Sequence, residues 1–223
     1  MGTIKHLIKQ YVIAKRHAKY RKVNIKNQDV SIFSNCCIGG TMYNDLGLRF
    51  LRPTINLFFG HHGFIDWVLN YEEYRDATLY DTGKFDINEH GLHGPICLLK
   101  KTGLPDIEIH FLHYSSFEEA EKKWYERFSR INPDKIFIVV EAKEPHEHEI
   151  IEEYVSLPYP KVIFTDLPSN KDKGIMHMSI YDTDNGKAIT SLLGLSGRRA
   201  YDEFDFVNEI FNRSYDEVTG GNK

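Results

Sequence analysis

Two cysteines, Cys36 and Cys37, stand side by side between the short β-branched run Asp29-Val-Ser-Ile-Phe-Ser34 and the pair Gly39-Gly40. The run reads as a strand, and Asn35-Cys-Cys-Ile-Gly-Gly40 as the turn that leaves it. Glycines let a backbone bend until several N–H groups face one point, and the start of a helix favours negative charge there. Such a setting lowers a thiol pKa and equally suits a phosphate or an oxyanion. A neighbouring histidine would make Cys37 a nucleophile of the Cys/His kind, and the candidate is His113. The plainer reading is two small residues buried at a tight turn. The spacing is not that of a phosphatase loop, because the sixth residue beyond Cys37 is Tyr43 rather than Arg.

Metal chemistry has weaker support. His110 and His113 lie three apart on an expected strand and so point to opposite faces. His146 and His148, two apart at a helix start, do not face each other. His61-His62 is a further pair, and His90 with His93 falls in a loop. There is no Cys-x-x-Cys or His-Glu-x-x-His pattern, so no metal site is assigned. Asp182-Thr-Asp-Asn-Gly186 has the look of half a calcium loop but lacks the Glu at the twelfth position, and reads as a turn. The chain has no G-x-G-x-x-G and no Walker loop.

The elements that would position these residues follow from periodicity. Thr41 to Leu46 reads as a short helix, residues 53 to 59 as a strand, Ile65 to Tyr74 as a helix, and residues 81 to 95 as a hairpin or long loop. Asp106 to His113 alternates, with Ile107, Ile109 and Phe111 on one face. Ser116 with Glu119 forms a capping-box signature, and Phe117, Ala120, Trp124, Phe128 and Ile131 share one helix face until Asn132-Pro133. Lys135 to Val140 is a continuous apolar run, typical of a strand buried on both faces. Pro145 opens another helix, Lys161 to Thr165 is a strand, residues 175 to 180 add another, and Tyr201 to Phe211 reads as a final helix. Strands alternating with helices predict an α/β fold: three layers, a mostly parallel Rossmann-like sheet with helices on both faces, and the first strand central. In such sheets ligands bind beyond the carboxyl ends of the strands. That rule gathers Ser34, Asn35, Cys36 and Cys37, then His113 and Tyr114, then Glu141 and Asp166.

Composition sets the outer limits. The chain has 223 residues, 41% of them hydrophobic and 27% charged, an ordinary globular balance. A formal charge of −4 argues against nucleic acid as a partner. Three cysteines make no disulfide framework and predict a reducing, cytoplasmic setting. No apolar run is long enough to span a membrane. The first 28 residues depart from the average, with eight Lys or Arg and no Asp or Glu. Ile4, Leu7, Ile8, Tyr11 and Val12 follow helical spacing there. Residues 1–27 therefore read as a basic amphipathic helix. It either docks on the domain with its basic face solvated, or lies peripherally on the inner face of the cell membrane through residues 1–22. Residues 28–215 form a single α/β domain, and residues 216–223 a flexible tail.

Ser34-Asn-Cys-Cys-Ile-Gly-Gly40, with Tyr43 and Asp45-Leu-Gly47, resembles the opening motif of a bacterial family of unassigned function usually described as exopolysaccharide or capsule biosynthesis proteins. Asp106-Ile-Glu-Ile-His-Phe-Leu-His-Tyr114 resembles its second block. Glu118-Glu-Ala120, Trp124, Arg127 and Arg130-Ile-Asn132 resemble the helix after it, and Phe204-Asp-Phe206 its C-terminal signature. The likeness spans residues 28 to 212. Where the family has Asn and Trp in its opening motif, this chain has Cys36 and Ile38. The resemblance implies a role in surface-polysaccharide assembly. A shorter likeness, to capsule acetyltransferases that bind coenzyme A, implies acyl transfer from an acyl-coenzyme A to a sugar hydroxyl on a polysaccharide or lipid-linked acceptor. Cys37 would then be nucleophile and His113 general base. Gly39 and Gly40 with Asn35 would hold the oxyanion, Ser34, Tyr43, Tyr114 and Glu141 would line the site, and Arg127 and Arg130 would reach a phosphate. The alternatives are a nucleotide-sugar glycosyltransferase using Asp182 and Asp184, and a non-catalytic, membrane-docked partner of the assembly machinery.

Overall fold

The computed structural model describes residues 2–87, 93–183 and 188–215. It is a mixed α/β protein with two four-stranded sheets, one parallel and one antiparallel, and a two-stranded ribbon. Helix α1 spans Gly2–Tyr20, strand β1 Ser31–Ser34 and helix α2 Ile38–Leu46. The chain then makes β2 (Phe58–Phe59), α3 (His61–Leu69), β3 (Thr78–Ile87), β4 (His93–Lys100), β5 (Ile107–His110) and α4 (Phe117–Phe128). It continues through β6 (Ile136–Glu141), α5 (Ile151–Ser156), β7 (Lys161–Thr165), β8 (Ile175–His177) and the ribbon strands β9 (Leu192–Leu193) and β10 (Arg198–Arg199).

The parallel sheet has the order β1-β6-β7-β8 and the antiparallel sheet the order β2-β5-β4-β3. The α/β class expected from the sequence holds, but two parts of the expectation are corrected. The strand at 107–110 belongs to the antiparallel sheet, where Ile107 and Ile109 are buried and Glu108 is exposed. That alternation is what a sheet with one wet face requires. Strand β1 is also an edge strand rather than a central one, because the chain builds the whole antiparallel sheet before it returns to β6. Strand β6 is buried from Ile136 to Val140, as its continuous apolar run demands.

The parallel sheet is covered on both faces. Val30, Ile32, Phe137, Val139, Val162 and Phe164 pack with Ile38, Met42 and Tyr43 of α2 and with Phe206, Ile210 and Phe211. Phe33, Ile136, Ile138, Val140 and Ile163 pack on the other face with α3, α4, α5 and the dry side of the antiparallel sheet. Trp67 anchors that second core. Its ring lies 4.6 Å from Phe33, 5.8 Å from Phe59 and 6.2 Å from Trp124, centroid to centroid. The Ser116 cap forms, with its hydroxyl accepting from Glu119 N.

Several boundaries move. Helix α2 starts at Ile38, so Gly39 and Gly40 lie in its first turn rather than in a turn before it. Residues 53–59 pair only at Phe58–Phe59, and α3 begins at His61. Residues 175–180 pair only at Ile175–His177 before a 3-10 turn. The helix expected over Tyr201–Phe211 is two short pieces, a 3-10 turn at Ala200–Glu203 and a π turn at Val207–Phe211. His90, the stretch Asp184-Asn-Gly186 and the tail from residue 216 lie outside the described residues.

Helix α1 docks through Val12 and Arg16. Arg16 is 2% exposed and donates to Asp45 (2.7 Å), Asp202 (2.5 and 2.7 Å), the Gly197 carbonyl (3.0 Å) and Tyr201 (3.2 Å). Ile4, Leu7, Ile8 and Tyr11 remain exposed.

Candidate functional site

The carboxyl edge of the parallel sheet starts at Ser34. Its hydroxyl donates to the Cys36 carbonyl (2.8 Å) and accepts from Cys36 N (3.4 Å), which closes the turn. Asn35 is buried and reaches across to β6: its Nδ2 donates to the Glu141 carbonyl (3.0 Å) and its Oδ1 accepts from Glu141 N (3.2 Å). Both side chains expected to line the site are spent on fixing the backbone. Asn35 carries the β1–β6 pairing beyond the strand and positions Glu141. Tyr43 is also a brace, since its hydroxyl donates to Val30 O (2.6 Å) and accepts from Ile32 N (2.9 Å) inside the core.

Cys37 caps α2 with its backbone only; Thr41 N bonds its carbonyl at 3.1 Å, and its side chain caps nothing. The sequence expectation was a thiol pKa lowered by the helix start. The direction is reversed: burial raises the Cys37 thiol, Arg52 opposes that, and Glu141 adds to it. Burial raises Cys36 as well. His113 is exposed, and partial burial of its ring lowers its pKa. No hydrogen bond joins His113 to Cys37 among the described residues. His113 lies at the surface after β5, while its neighbour Tyr114 is buried and turns towards the cysteine edge.

What lies against α2 instead is Arg52. A Cβ on Gly39 would stand 2.4 Å from Arg52 Nη2, so only glycine lets the guanidinium rest on this turn. Arg52 is 0% exposed, and its Nε, Nη1 and Nη2 have no hydrogen-bond partner among the described residues. Burial pulls its pKa down from 12.5 to about 10, while Tyr43, Cys36 and Cys37 pull the other way. Tyr114 closes this side, its hydroxyl donating to Ile55 O (2.7 Å) and accepting from Arg127 Nη1 (2.5 Å). Arg127 also lies over the Phe50 ring, 5.6 Å from its centroid. Arg130 is engaged elsewhere, paired with Glu126 and reaching the Phe50 carbonyl.

On the other side of the cysteines stands Glu141. Its carboxylate accepts from Tyr181 Oη (2.7 Å) and from Cys36 Sγ (3.9 Å), and burial raises its pKa above the usual carboxylate value. Further along the edge, His61 bonds the Tyr154 hydroxyl (2.6 Å) and Glu147 (2.8 Å). Burial works against the Glu147 charge, but His61 and the amides of Glu144 and Lys143 prevail and hold its pKa at about 2. His148 pairs with Asp166 (2.7 Å) and His177 with Asp182 (3.1 Å). Among the described residues no group of three or more His, Cys, Asp or Glu side chains is arranged to hold a metal ion.

Sequence reasoning reached Cys36, Cys37, Glu141 and Asp166 at this edge and missed Arg52, His61, Glu147, Tyr154 and Tyr181. One signal for Arg52 was available: an arginine inside the apolar stretch Phe50-Leu-Arg-Pro-Thr-Ile-Asn-Leu57. For Tyr181 and Glu147 there was none, since their partners are remote in the chain.

The chain belongs to a family described as a domain of unknown function, DUF1919, whose profile matches residues 8–211. It is similar to an uncharacterized protein of Haemophilus influenzae, 29% identical over 188 residues, which cover 82% of this chain and 84% of that one.

Proposed function

From membership of a family with no assigned reaction, we propose that this chain is a transferase of surface-polysaccharide assembly. In this reading it moves an acyl group from an acyl-coenzyme A to a hydroxyl of a polysaccharide or lipid-linked sugar. The polysaccharide setting rests on the sequence resemblance. The chemistry rests on one observation: Glu141, a carboxyl with raised pKa, sits at the carboxyl edge of the parallel sheet, across the cysteine pair from the leading turn of α2. A raised carboxyl is a better base than an ordinary one. The sheet edge is read as the ligand-binding edge of a Rossmann-like unit.

Glu141 takes the proton of the acceptor hydroxyl as its oxygen bonds to the thioester carbonyl. The oxyanion faces the N–H groups at the start of α2, which have no intrahelical acceptor. The carbon–sulfur bond then breaks, and the leaving thiolate takes the proton from Glu141. Direct transfer is favoured over an acyl-Cys37 intermediate, because the thiol is held protonated by burial. Glu141→Gln is expected to lower O-acylation by about 10²–10⁴-fold with the fold intact. Cys37→Ser is expected to keep most of the activity. The reverse pattern, with Glu141→Gln active and Cys37→Ser dead, would return the chemistry to the thiol.

A second observation supports a peripheral place on the inner face of the cell membrane. Ile4, Leu7, Ile8 and Tyr11 are exposed on α1, where Ile8 shares a cleft with exposed Leu195 of the ribbon's turn, in the most basic stretch of the chain. Such a face suits an anionic bilayer. Leu7→Glu is expected to abolish flotation with vesicles containing phosphatidylglycerol, and equal flotation of both proteins would remove this reading.

A further inference from the structure

Arg52 is in the wrong place for a structural arginine. Its guanidinium lies on the first turn of α2, the positive end of that helix's dipole. Arg127 is close enough to add a second repulsive charge. A buried guanidinium without a carboxylate or carbonyl is strongly disfavoured. The Thr54 hydroxyl, also buried and two residues further on, likewise has no partner among the described residues. A cation, an amino-terminal helix turn and an orphan hydroxyl repel or ignore one another, yet each is a donor suited to the same kind of group.

We propose that Arg52 and the leading amides of α2 form a binding site for an oxyanion, the phosphate or diphosphate of a ligand. An anion touching both the guanidinium and the free amides of the helix turn sets two attractions against the repulsion and gives the planar fork its matching acceptor. Gly39 is glycine because a side chain there would occupy the place where Arg52 meets the turn. Arg52 and Thr54 ride on the irregular segment between α2 and β2, where exposed Asn56 holds a left-handed φ of 60°. The guanidinium is sealed from solvent, so binding at this site requires that segment to shift. The site uses neither Glu141 nor a thioester, but it takes the α2 amides that the acyl-transfer reading gives to the reaction oxyanion, so a phosphate held there replaces that use of the turn.

The test is thermal denaturation of the full chain at constant ionic strength, with chloride exchanged for inorganic phosphate, coenzyme A or a nucleoside diphosphate. The wild type is expected to show a saturable rise on the order of 5 °C at about 100 times the Kd of at least one of these. Arg52→Met is expected to lose that rise and, without phosphate, to melt no lower than the wild type. Arg52→Lys keeps the charge but not the fork, and is expected to need at least about tenfold more ligand. A response to inorganic phosphate alone identifies the free ion as the ligand; a response to coenzyme A or the diphosphate identifies a phosphate carried on a larger molecule. No wild-type response to any of the three, or an Arg52→Met response equal to the wild type, overturns the site. If Arg52→Met does not fold, Arg52→Lys decides: a weakened response supports the site and an unchanged one refutes it.

Discussion

Arg16 and Arg52 are both buried arginines, and they are treated in opposite ways. Arg16 meets two carboxylates, a carbonyl and a phenol, and their pull outweighs burial to hold its pKa above the ordinary value. Arg52 meets no hydrogen-bond acceptor among the described residues, and burial pulls its pKa down to about 10. The first is a fastening that ties α1 to α2 and to the turn at Asp202. The second makes sense as half of an interaction whose other half comes from outside the chain. The acids at the sheet edge repeat the contrast. Glu147 is saturated by His61 and two amides, whereas Glu141 is raised by burial and, among the described residues, its carboxylate is bonded to a phenol and a thiol.

This contrast can be broken by substitution. Arg16→Met takes the cation from half-buried Asp202 and one of two from buried Asp45, which keeps Arg199 at 3.0 Å, and is expected to cost about 3–5 kcal/mol, a drop in Tm of roughly 10 °C in thermal denaturation. Next in size is Glu147. Its folded pKa lies below the unfolded one, so its stabilisation is full above about 4.5 and is lost as pH falls to about 2. That loss is on the order of 3 kcal/mol, and Glu147→Gln is expected to flatten it in acid denaturation. An acid limb equally steep in Glu147→Gln would show that another carboxylate carries it. Smallest, and of opposite sign to Arg16→Met, is Arg52→Met without ligand, expected to stabilise by about 1–2 kcal/mol. If the two arginine variants destabilise alike, Arg52 is a fastening too and the contrast fails.

Much of the fold was legible and the site only in part. The unbroken apolar run of β6 announced a strand buried on both faces, and Ser116 announced the start of α4. The alternation of Ile107, Glu108, Ile109 and His110 was equally visible, but the strand–helix rhythm around it led to the wrong sheet. Which sheet a strand joins is set by long-range pairing, and single-strand periodicity does not carry that information. The glycines after Cys37 looked like a turn because their freedom was credited to the backbone. Their neighbour Arg52 shows that at Gly39 the need is for space. Arg16, one of eight basic residues in the first 28, could not be singled out because its partners lie 29 and 186 residues away.

The most direct measurement is a crystal of the full chain soaked in tungstate, a heavy analogue of phosphate whose position its anomalous signal reports. A tungstate bound by both the Arg52 guanidinium and the amides at the start of α2 is expected, absent from Arg52→Met crystals soaked in the same way. A fully soaked wild-type crystal with no tungstate there, and Arg52 still without a partner, would contradict that expectation.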